Sequence, residues 1–281
     1  MSAQDNALSP CYEALGFKHI PFSITPDTSL AFPGKQYVQA YNHLHHACMT
    51  GTLAVLSAEI GLGKTFVIRC LIRALPERVK VAYLINPLLD QVALLREIYA
   101  EFNAGALPAS EHLQSLHHAL VQLVLQGASS GARFVIIVDE AHRLSAEALE
   151  ALRLLSNLET EQTKLISLVL VGQPELERTL ALRAMRPLRE RIGAWLRLRP
   201  MSRKQCSAYV QHRIARTHRD GRFSFSPAAL WVLHWRTQGV PRRINLAAER
   251  AVLLACTRRN TQRISWSMVW QACNEFRRVW R

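Results

Sequence analysis

The chain has 281 residues and a mass of 31.8 kDa, with 49% hydrophobic and 20% charged residues. This composition excludes intrinsic disorder, and the length predicts one large domain or a large domain with a small one. The net charge of +14 is uneven, because residues 1–140 carry 9 Lys and Arg against 11 Asp and Glu, whereas residues 141–281 carry 26 against 10. The basic second half favours an anionic partner, which could be nucleic acid, a phospholipid surface, an acidic protein or bound nucleotide, and the alternative is an ordinary solvated basic surface.

Signals for targeting and for disulfide bonding are absent from the sequence. No apolar run reaches about 18 residues, so we expect no transmembrane segment. The first residues lack a basic start followed by an apolar core, so we expect no signal peptide. Six cysteines contain no Cys-x-x-Cys pair, which favours reduced thiols and a cytoplasmic location.

The first 200 residues predict an α/β fold. Residues 1–50 form an aromatic and proline-rich N-terminal segment with one helix, over Tyr37–Met49. Apolar runs then alternate with helical patterns, which predicts a parallel sheet covered on both faces. The predicted strands are Thr52–Ser57, Val79–Ile85, Phe134–Val138 and Ile166–Val171, and the predicted helices are Thr65–Leu75, Gln91–Phe102, Leu113–Leu125 and Ser145–Leu158.

After about Ser202 the strand signal fades and helical patterns dominate. Ser226-Pro227 is a helix start, and Gly239-Val240-Pro241 separates two helices. The predicted helices are Lys204–Arg216, Pro227–Thr237, Ile244–Thr257 and Ser265–Arg278. We therefore predict three parts: the segment 1–50, an α/β domain over 51–197 and a small all-helical domain over 198–281.

A phosphate-binding loop follows the first predicted strand. Its glycines allow backbone N–H groups to approach phosphate oxygens, and the helix that follows directs its positive dipole end at the same anion. Lys64 is expected to bridge the β- and γ-phosphates, and the Thr65 hydroxyl to ligate magnesium. Ala58 replaces the first glycine of the motif. The predicted nucleotide-binding residues are Ala58, Glu59, Ile60, Gly61, Leu62, Gly63, Lys64, Thr65 and Phe66.

Two adjacent carboxylates, Asp139 and Glu140, end the buried strand Phe134–Val138. We expect Asp139 to hold magnesium and Glu140 to polarise the water that attacks the γ-phosphate. Ala141-His142 completes the letters of a helicase motif, but the sequence contains no other helicase signature. The two carboxylates therefore predict ATP hydrolysis without predicting a helicase.

Further polar and basic residues are candidates for contacting the nucleotide. Gln173, at the end of the strand Ile166–Val171, is placed to lie between the carboxylates and sense the γ-phosphate. Arg191 is a candidate arginine finger for a neighbouring subunit, and Arg189 is an alternative. Arg242, which opens a helix of the small domain, is a candidate for contacting the γ-phosphate in the same subunit.

Taken together, these residues resemble the AAA+ superfamily and, within it, the ATPase family named for the secretion component ExeA (GspA), which includes ATPases of mannose-sensitive haemagglutinin-type pilus biogenesis. The resemblance extends from about Tyr12 to Phe276. Pro187 stands where that family usually has glutamine. The motifs that carry the resemblance are Pro21–Asp27, Glu59–Thr65, Asp139–His142, Leu152–Thr160, Gly172–Leu176, Leu188–Ile192 and Gly239–Asn245.

The resemblance implies a P-loop NTPase fold, a three-layer αβα parallel sheet, followed by a helical lid from about Leu198. It implies ATP and Mg²⁺ as cofactors, a hexamer-like homo-oligomer as the active form, and Arg242 as the second sensor. It also implies secretion or pilus assembly proteins as partners, at a position in the cytoplasm or peripheral to the inner membrane. Longer members carry a membrane span and a peptidoglycan-binding domain, and we expect this chain to resemble the short members.

Two alternative functions stay open at this level. Relatives of these ATPases also serve transposons, so a DNA-binding regulator of transposition target selection would use the basic second half. A nucleotide-gated adaptor that barely hydrolyses ATP is the third hypothesis, although Glu140 argues against it.

Histidine and tryptophan groups elsewhere in the chain have simpler interpretations. The histidine groups around positions 43–46 and 112–118 lack patterned cysteine or acidic partners, so they predict wet helix surfaces and no metal site. Tryptophans spaced four apart in the last 60 residues predict helix faces that pack within the small domain.

Overall fold

The computed structural model describes residues 10–25, 27–85, 90–106, 112–159, 163–258, 261–276 and 280. In chain order its helices are α1 (Pro10–Ala14), α2 (Lys35–Thr50), α3 (Lys64–Ala74), α4 (Gln91–Phe102), α5 (Leu113–Ser129), α6 (Ala146–Leu155), α7 (Pro174–Ala181), α8 (Arg186–Arg189), α9 (Arg203–Thr217), α10 (Pro227–Thr237), α11 (Pro241–Thr257) and α12 (Trp266–Glu275). Its strands are β1 (Leu53–Ser57), β2 (Val79–Leu84), β3 (Arg133–Val138), β4 (Ile166–Gly172), β5 (Ile192–Arg197), β6 (Ser224–Phe225) and β7 (Arg263–Ile264).

The chain divides into two compact units. The sheet unit contains residues 35–60 and 64–198. The helical unit contains the residues up to 34, the turn 61–63 and the residues from 199 onward. The predicted segment 1–50 is thus shared between the two units, and the division of the chain into functional domains stays a prediction.

A five-stranded parallel sheet forms the centre of the sheet unit, in the order β2-β3-β4-β1-β5. The four predicted strands are confirmed, and their apolar side chains are buried because helices cover the sheet. The fold class is therefore confirmed. The main core cluster combines residues of the strands and of α4, α5 and α6, among them Val55, Leu95, Leu120, Ile136, Leu152 and Leu168.

The fifth strand, β5, was not predicted. Its residues alternate between partly buried and exposed positions, as expected for an edge strand with one face near solvent. The apolar runs that predicted the other strands, including the opposite edge strand β2, have no counterpart in Ile192–Arg197. The alternating pattern of β5 is therefore the reason that it was missed.

The helical unit contains the four predicted helices α9 to α12, each preceded by a residue with extended backbone. Ser202 and Gln205 form a reciprocal capping box at the start of α9. Helix α11 starts at Pro241, three residues before the predicted start, because proline is tolerated in the first turn of a helix. The predicted end of the last helix, residues 277–278, lies outside the described residues.

Two features of the helical unit correct the sequence analysis. The region is not all helical, because β6 and β7 form a parallel pair, and two-residue strands are too short to produce a sequence pattern. The expectation of six reduced cysteines is wrong for Cys11 and Cys256, which a disulfide joins between α1 and α11. They lie 245 residues apart in sequence, so local spacing carries no sign of the pair.

The residues before α2 pack in the helical unit. The backbone N–H of Lys18 donates to the Thr217 carbonyl at 2.8 Å. The buried guanidinium of Arg213 donates to the Pro21 carbonyl at 3.3 Å. No helix within the described ranges is both long and apolar enough to cross a bilayer.

Candidate nucleotide site

The candidate site lies where the central strands of the sheet unit end. Because β3, β4 and β1 are parallel neighbours, the segments that follow them emerge at one edge of the sheet. These segments begin with the loop after Ser57, with Asp139 and with Gln173. In parallel α/β sheets, ligands bind beyond the carboxyl ends of the strands, so the topology brings the predicted groups of the sheet unit to one edge.

The loop after β1 has the backbone that phosphate binding requires. Gly61 and Gly63 have φ angles of +81° and +95°, a region that L side chains avoid. Ala58 is not among the described non-glycine residues with positive φ, and its N–H donates to the Gly172 carbonyl at 3.0 Å. Alanine is therefore accommodated where the motif usually has glycine.

The other predicted binding residues continue along this loop and into α3. Glu59 and Ile60 are exposed, whereas Leu62 is buried. Lys64 and Thr65 are the first residues of α3, and Phe66 follows with its side chain half-buried. The first turn of α3 therefore carries the two side chains to which the sequence analysis assigns phosphate and metal contacts.

Lys64 is a buried cation whose nearest partners are neutral. Only 6% of its surface is exposed, and its Nζ donates to the carbonyls of Ala58 at 2.8 Å and Glu59 at 3.4 Å. Burial lowers the pKa of Lys64 below its usual value, and the carboxylates of Glu140 and Asp139 oppose that shift. A bound anion would supply the countercharge that carbonyl oxygens cannot.

Asp139 is 3% exposed and is held by three donors. Its Oδ2 accepts from the Thr65 hydroxyl at 3.0 Å and from the Tyr83 hydroxyl at 3.2 Å. Its Oδ1 accepts from the backbone N–H of Glu140 at 2.9 Å. Burial, together with the nearby carboxylate of Asp139, raises the pKa of Tyr83. Tyr83 was not predicted as a site residue. The one sequence signal for it is a hydroxyl near the end of an apolar strand.

Glu140, His142 and Gln173 form a hydrogen-bonded cluster. Gln173 Nε2 donates to Glu140 Oε2 at 3.2 Å and lies 3.3 Å from His142 Nε2. His142 Nδ1 lies 3.5 Å from Glu140 Oε2. The backbone N–H of Gln173 also lies 3.5 Å from His142 Nδ1, so the tautomer of the imidazole decides whether Nδ1 accepts from Gln173 or donates to Glu140. Glu140 has a left-handed φ of 53°, which is uncommon outside glycine and concentrates at functional positions.

The arginine candidates differ in their surroundings. In the helical unit, exposed Arg242 is the second residue of α11, and its backbone N–H donates to the Gly61 carbonyl at 3.2 Å. In the sheet unit, Arg189 donates to the Ala181 carbonyl at 3.0 Å, whereas Arg191 is exposed just before β5. Pro187 lies in the first turn of α8, where a proline needs no hydrogen bond.

The structure also bears on the histidine and tryptophan groups. Among the residues that the structure describes, no three His, Cys, Asp or Glu side chains are grouped as a metal site would require. Three of the tryptophans pack within the helical unit as expected, Trp231 on Trp235 and Trp235 on Trp270. These three and Trp266 are nevertheless exposed at the surface of the unit.

Comparison with known proteins places this geometry in a class. Residues 46–180 match the model of the AAA domain family. The fold is similar to ORC2 of Aeropyrum pernix in ADPNP and ADP complexes, with a TM-score of 0.68 at 18% identity over 93% of this chain and 72% of that chain. It is also similar to Drosophila ORC bound to DNA, with a TM-score of 0.67 at 20% identity over 98% of this chain and 68% of that chain. The chain is therefore a P-loop protein of the AAA+ class.

Within that class the sequence has a more specific relative. The chain is 38% identical over 246 residues to general secretion pathway protein A of Aeromonas hydrophila. This is the relationship that the motifs predict. The match covers 86% of this chain and 44% of the relative, so the chain spans less than half of the relative's length.

Proposed function

We propose that the protein binds ATP with Mg²⁺ and hydrolyses it to ADP and phosphate. The observation that carries this proposal is the pair of contacts at the strand ends, Thr65 with Asp139 and Gln173 with Glu140. The first contact joins the hydroxyl and the carboxylate that are expected to hold magnesium. The second joins the acid and the amide that are expected to act on the γ-phosphate. Both contacts lie at the sheet edge where the phosphate loop begins.

The residues present suit a magnesium ion. The Thr65 hydroxyl and the Asp139 carboxylate are oxygen donors 3.0 Å apart, and Mg²⁺ prefers oxygen ligands from one or two side chains together with phosphates and water. When bound, the ion would neutralise charge on the phosphates. Tyr83 keeps the Asp139 carboxylate oriented through its hydrogen bond.

The side chains of this protein then have different roles in hydrolysis. Lys64 and the loop N–H groups bind the phosphates. Glu140 accepts a proton from the attacking water, and the Gln173 amide positions the Glu140 carboxylate and senses the γ-phosphate. Arg242 is proposed as a second sensor.

Replacing Glu140 with glutamine tests this assignment, because the amide keeps the shape of the side chain but cannot take a proton. We expect Glu140→Gln to bind ATP as the wild type does and to release phosphate at least about 100-fold more slowly. Glu147→Gln, at an exposed position of α6, is the matched control and should turn over normally. Unchanged turnover in Glu140→Gln would reject the role, and a wild type that binds but does not hydrolyse ATP would favour a nucleotide-gated adaptor.

We further propose that ATP promotes a hexamer-like homo-oligomer in which Arg191 reaches the nucleotide of a neighbouring subunit. Two observations support Arg191 over Arg189. Arg191 is exposed on the sheet unit, whereas the Arg189 guanidinium is bound to the carbonyls at the end of α7. The side chain of an arginine finger must extend from its own subunit to the nucleotide of the neighbour, so contacts within its own subunit would hold it back.

The proposed pathway is a secretion or type IV-pilus-like assembly system, with its proteins as partners and a position in the cytoplasm, peripheral to the inner membrane. Its support is the 38% identity to general secretion pathway protein A. In a host strain lacking the gene, we expect loss of protein secretion or of surface pili, restored by the wild type and not by Glu140→Gln. A strain that secretes and assembles pili normally without the gene would contradict this pathway.

A DNA-binding regulator of transposition is the second candidate, and the excess of arginine in the second half of the chain favours it. Such a protein would retain duplex DNA in an ATP-dependent and strongly salt-dependent way, because cations that neutralise phosphates release counterions. Retention of this kind, with a transposase gene as neighbour, would support the second candidate. Indifference to DNA would exclude it.

A further inference from the structure

Four tryptophans form an exposed face on the helical unit. Trp231 and Trp235 lie one turn apart on α10, and Trp266 and Trp270 lie one turn apart on α12. Their exposed fractions are between 39% and 55%. We call these four residues, together with Arg236, the tryptophan face.

Three of the four rings of this face stack on one another. The Trp231 and Trp235 rings are parallel within 5° at 6.1 Å, and the Trp235 and Trp270 rings are parallel within 8° at 6.0 Å. The Arg236 guanidinium lies 4.8 Å from the centre of the Trp270 ring and donates to the Asn274 amide oxygen at 2.7 Å. Stacking and cation–π contacts therefore order Trp231, Trp235 and Trp270 before any partner binds.

The tryptophan face is not the core-facing side of these helices. On α10 the buried residues include Leu230 and Leu233, and on α12 they include Val269 and Ala272. The helices thus bury one apolar stripe in the unit and expose a second. An exposed apolar patch of this kind marks an interaction surface.

The segment that carries the face is strongly basic in sequence. Residues 199–281 contain 17 Lys and Arg against three Asp and Glu, whereas residues 1–198 contain 18 of each. Two of the three acids are already paired, Asp220 with Arg222 and Glu275 with Arg250. Burial raises the pKa of the third acid, Glu249, which disfavours its charged form. The whole net charge of the chain therefore belongs to the segment that carries the face.

We propose that the tryptophan face docks the protein on an anionic phospholipid surface. Indole rings concentrate at the headgroup level of bilayers, because one ring combines an apolar body with a polar N–H. Arginines in the same region are attracted to anionic headgroups. The combination of exposed indoles and an excess of arginine matches both properties of such a surface.

The ring contacts argue against single-stranded nucleic acid as the occupant. Bases bind aromatic side chains by stacking on their faces. Trp235 already has two indole neighbours, and Trp270 has one indole and the Arg236 guanidinium. These contacts reduce the free ring face on which a base would stack, while leaving the side chains exposed to a surface.

The tryptophan face would be the part of the protein that contacts the membrane in the proposed peripheral location, and its binding to lipid does not depend on ATP hydrolysis. A failure of lipid binding would leave the nucleotide site untouched, and a failure of hydrolysis would leave lipid binding untouched. The two proposals therefore stand or fall on separate measurements.

The test is co-sedimentation of the full chain with vesicles of phosphatidylglycerol and phosphatidylcholine, compared with phosphatidylcholine alone. We expect binding to the anionic vesicles and a loss of at least about tenfold in affinity for Trp231→Ser/Trp235→Ser and for Trp266→Ser/Trp270→Ser. The matched control is Trp195→Ser, since Trp195 is 42% exposed on β5 of the sheet unit. The control should bind as the wild type does.

Three results would overturn the proposal. The first is that the protein does not bind anionic vesicles at all, and the second is that all variants bind them equally well. The third result is that the variants lose binding to single-stranded DNA or to protein while lipid binding persists.

Thermal unfolding and ATP binding check that the variants fold. If a double variant does not fold, quenching of wild-type tryptophan fluorescence by brominated lipids replaces it. Quenching is expected when the face enters the headgroup region, and its absence contradicts docking.

Discussion

The strand-end site of the sheet unit and the tryptophan face of the helical unit organise their side chains in opposite ways. In the site, Lys64 and Asp139 are buried and hydrogen-bonded within the unit. On the face, tryptophan rings contact one another and stay exposed. Chemistry on a phosphate needs desolvated groups whose positions are fixed in advance, whereas docking needs apolar surface that water still covers. The contrast is consistent with the separate roles proposed for the two regions.

The largest expected effect sharpens the contrast from the side of the sheet unit. Arg191→Ala should lower ATP turnover of the assembled protein by up to about 10³-fold, because an arginine finger stabilises transition-state charge on the phosphate. Arg189→Ala, which removes only contacts to the end of α7, should have a much smaller effect. Phosphate release at saturating ATP measures both.

Mixing Arg191→Ala with Glu140→Gln subunits adds a control for action between subunits. Each variant lacks a different half of the shared site, so mixed assemblies should recover part of the turnover. Lipid binding should not change in either variant. Equal loss in Arg189→Ala and Arg191→Ala, or no recovery on mixing, would contradict the assignment.

His142 provides a prediction of intermediate size. His142→Ala removes the imidazole beside Glu140 and Gln173, so kcat should fall about tenfold, the cost of losing one hydrogen bond to a charged group. KM for ATP should change little if His142 acts through Glu140 and Gln173, the side chains that it contacts. His142→Gln can still exchange hydrogen bonds and should recover part of the loss.

His118→Ala is the control for this prediction, since His118 is exposed on α5. It should leave kcat and KM unchanged. A purely structural role for His142 would instead lower thermal stability in both His142 variants without the recovery of kcat in His142→Gln.

The smallest expected effect is that of Ala58→Gly. Ala58 does not have a positive φ, and its N–H keeps the hydrogen bond to the Gly172 carbonyl. Restoring the usual glycine should therefore change ATP affinity by no more than about twofold, the level of a minor backbone effect. Fluorescence titration with a labelled nucleotide measures it, and a large gain in affinity would mean that alanine distorts the loop.

Much of the site was predictable because its groups are encoded locally. The phosphate loop and the two carboxylates each directly follow a strand with a continuous apolar pattern, so their order along the chain indicates their place in the fold. The helices of the helical unit were predictable for a similar reason, because local signals such as Ser226-Pro227 mark where a helix starts.

The contacts that were missed depend on neighbours distant in sequence. Tyr83 reaches Asp139 because β2 pairs with β3, and His142 reaches Gln173 because β3 pairs with β4. No local pattern encodes that pairing. Spacing four apart showed that the tryptophans share helix faces, but it does not distinguish a buried face from an exposed one. The exposed tryptophan face therefore required the structure.

The most direct test of the central claim is equilibrium binding of MgATP to the purified full chain by calorimetry, for the wild type, Lys64→Ala and Lys80→Ala. Lys80 is exposed on β2 and serves as the control. We predict that the wild type and Lys80→Ala bind alike, and that Lys64→Ala binds at least about tenfold more weakly, as expected for the loss of a charge-assisted contact to phosphate. A wild type without affinity for adenine nucleotides, or a Lys64→Ala variant that binds them equally well, would contradict the account.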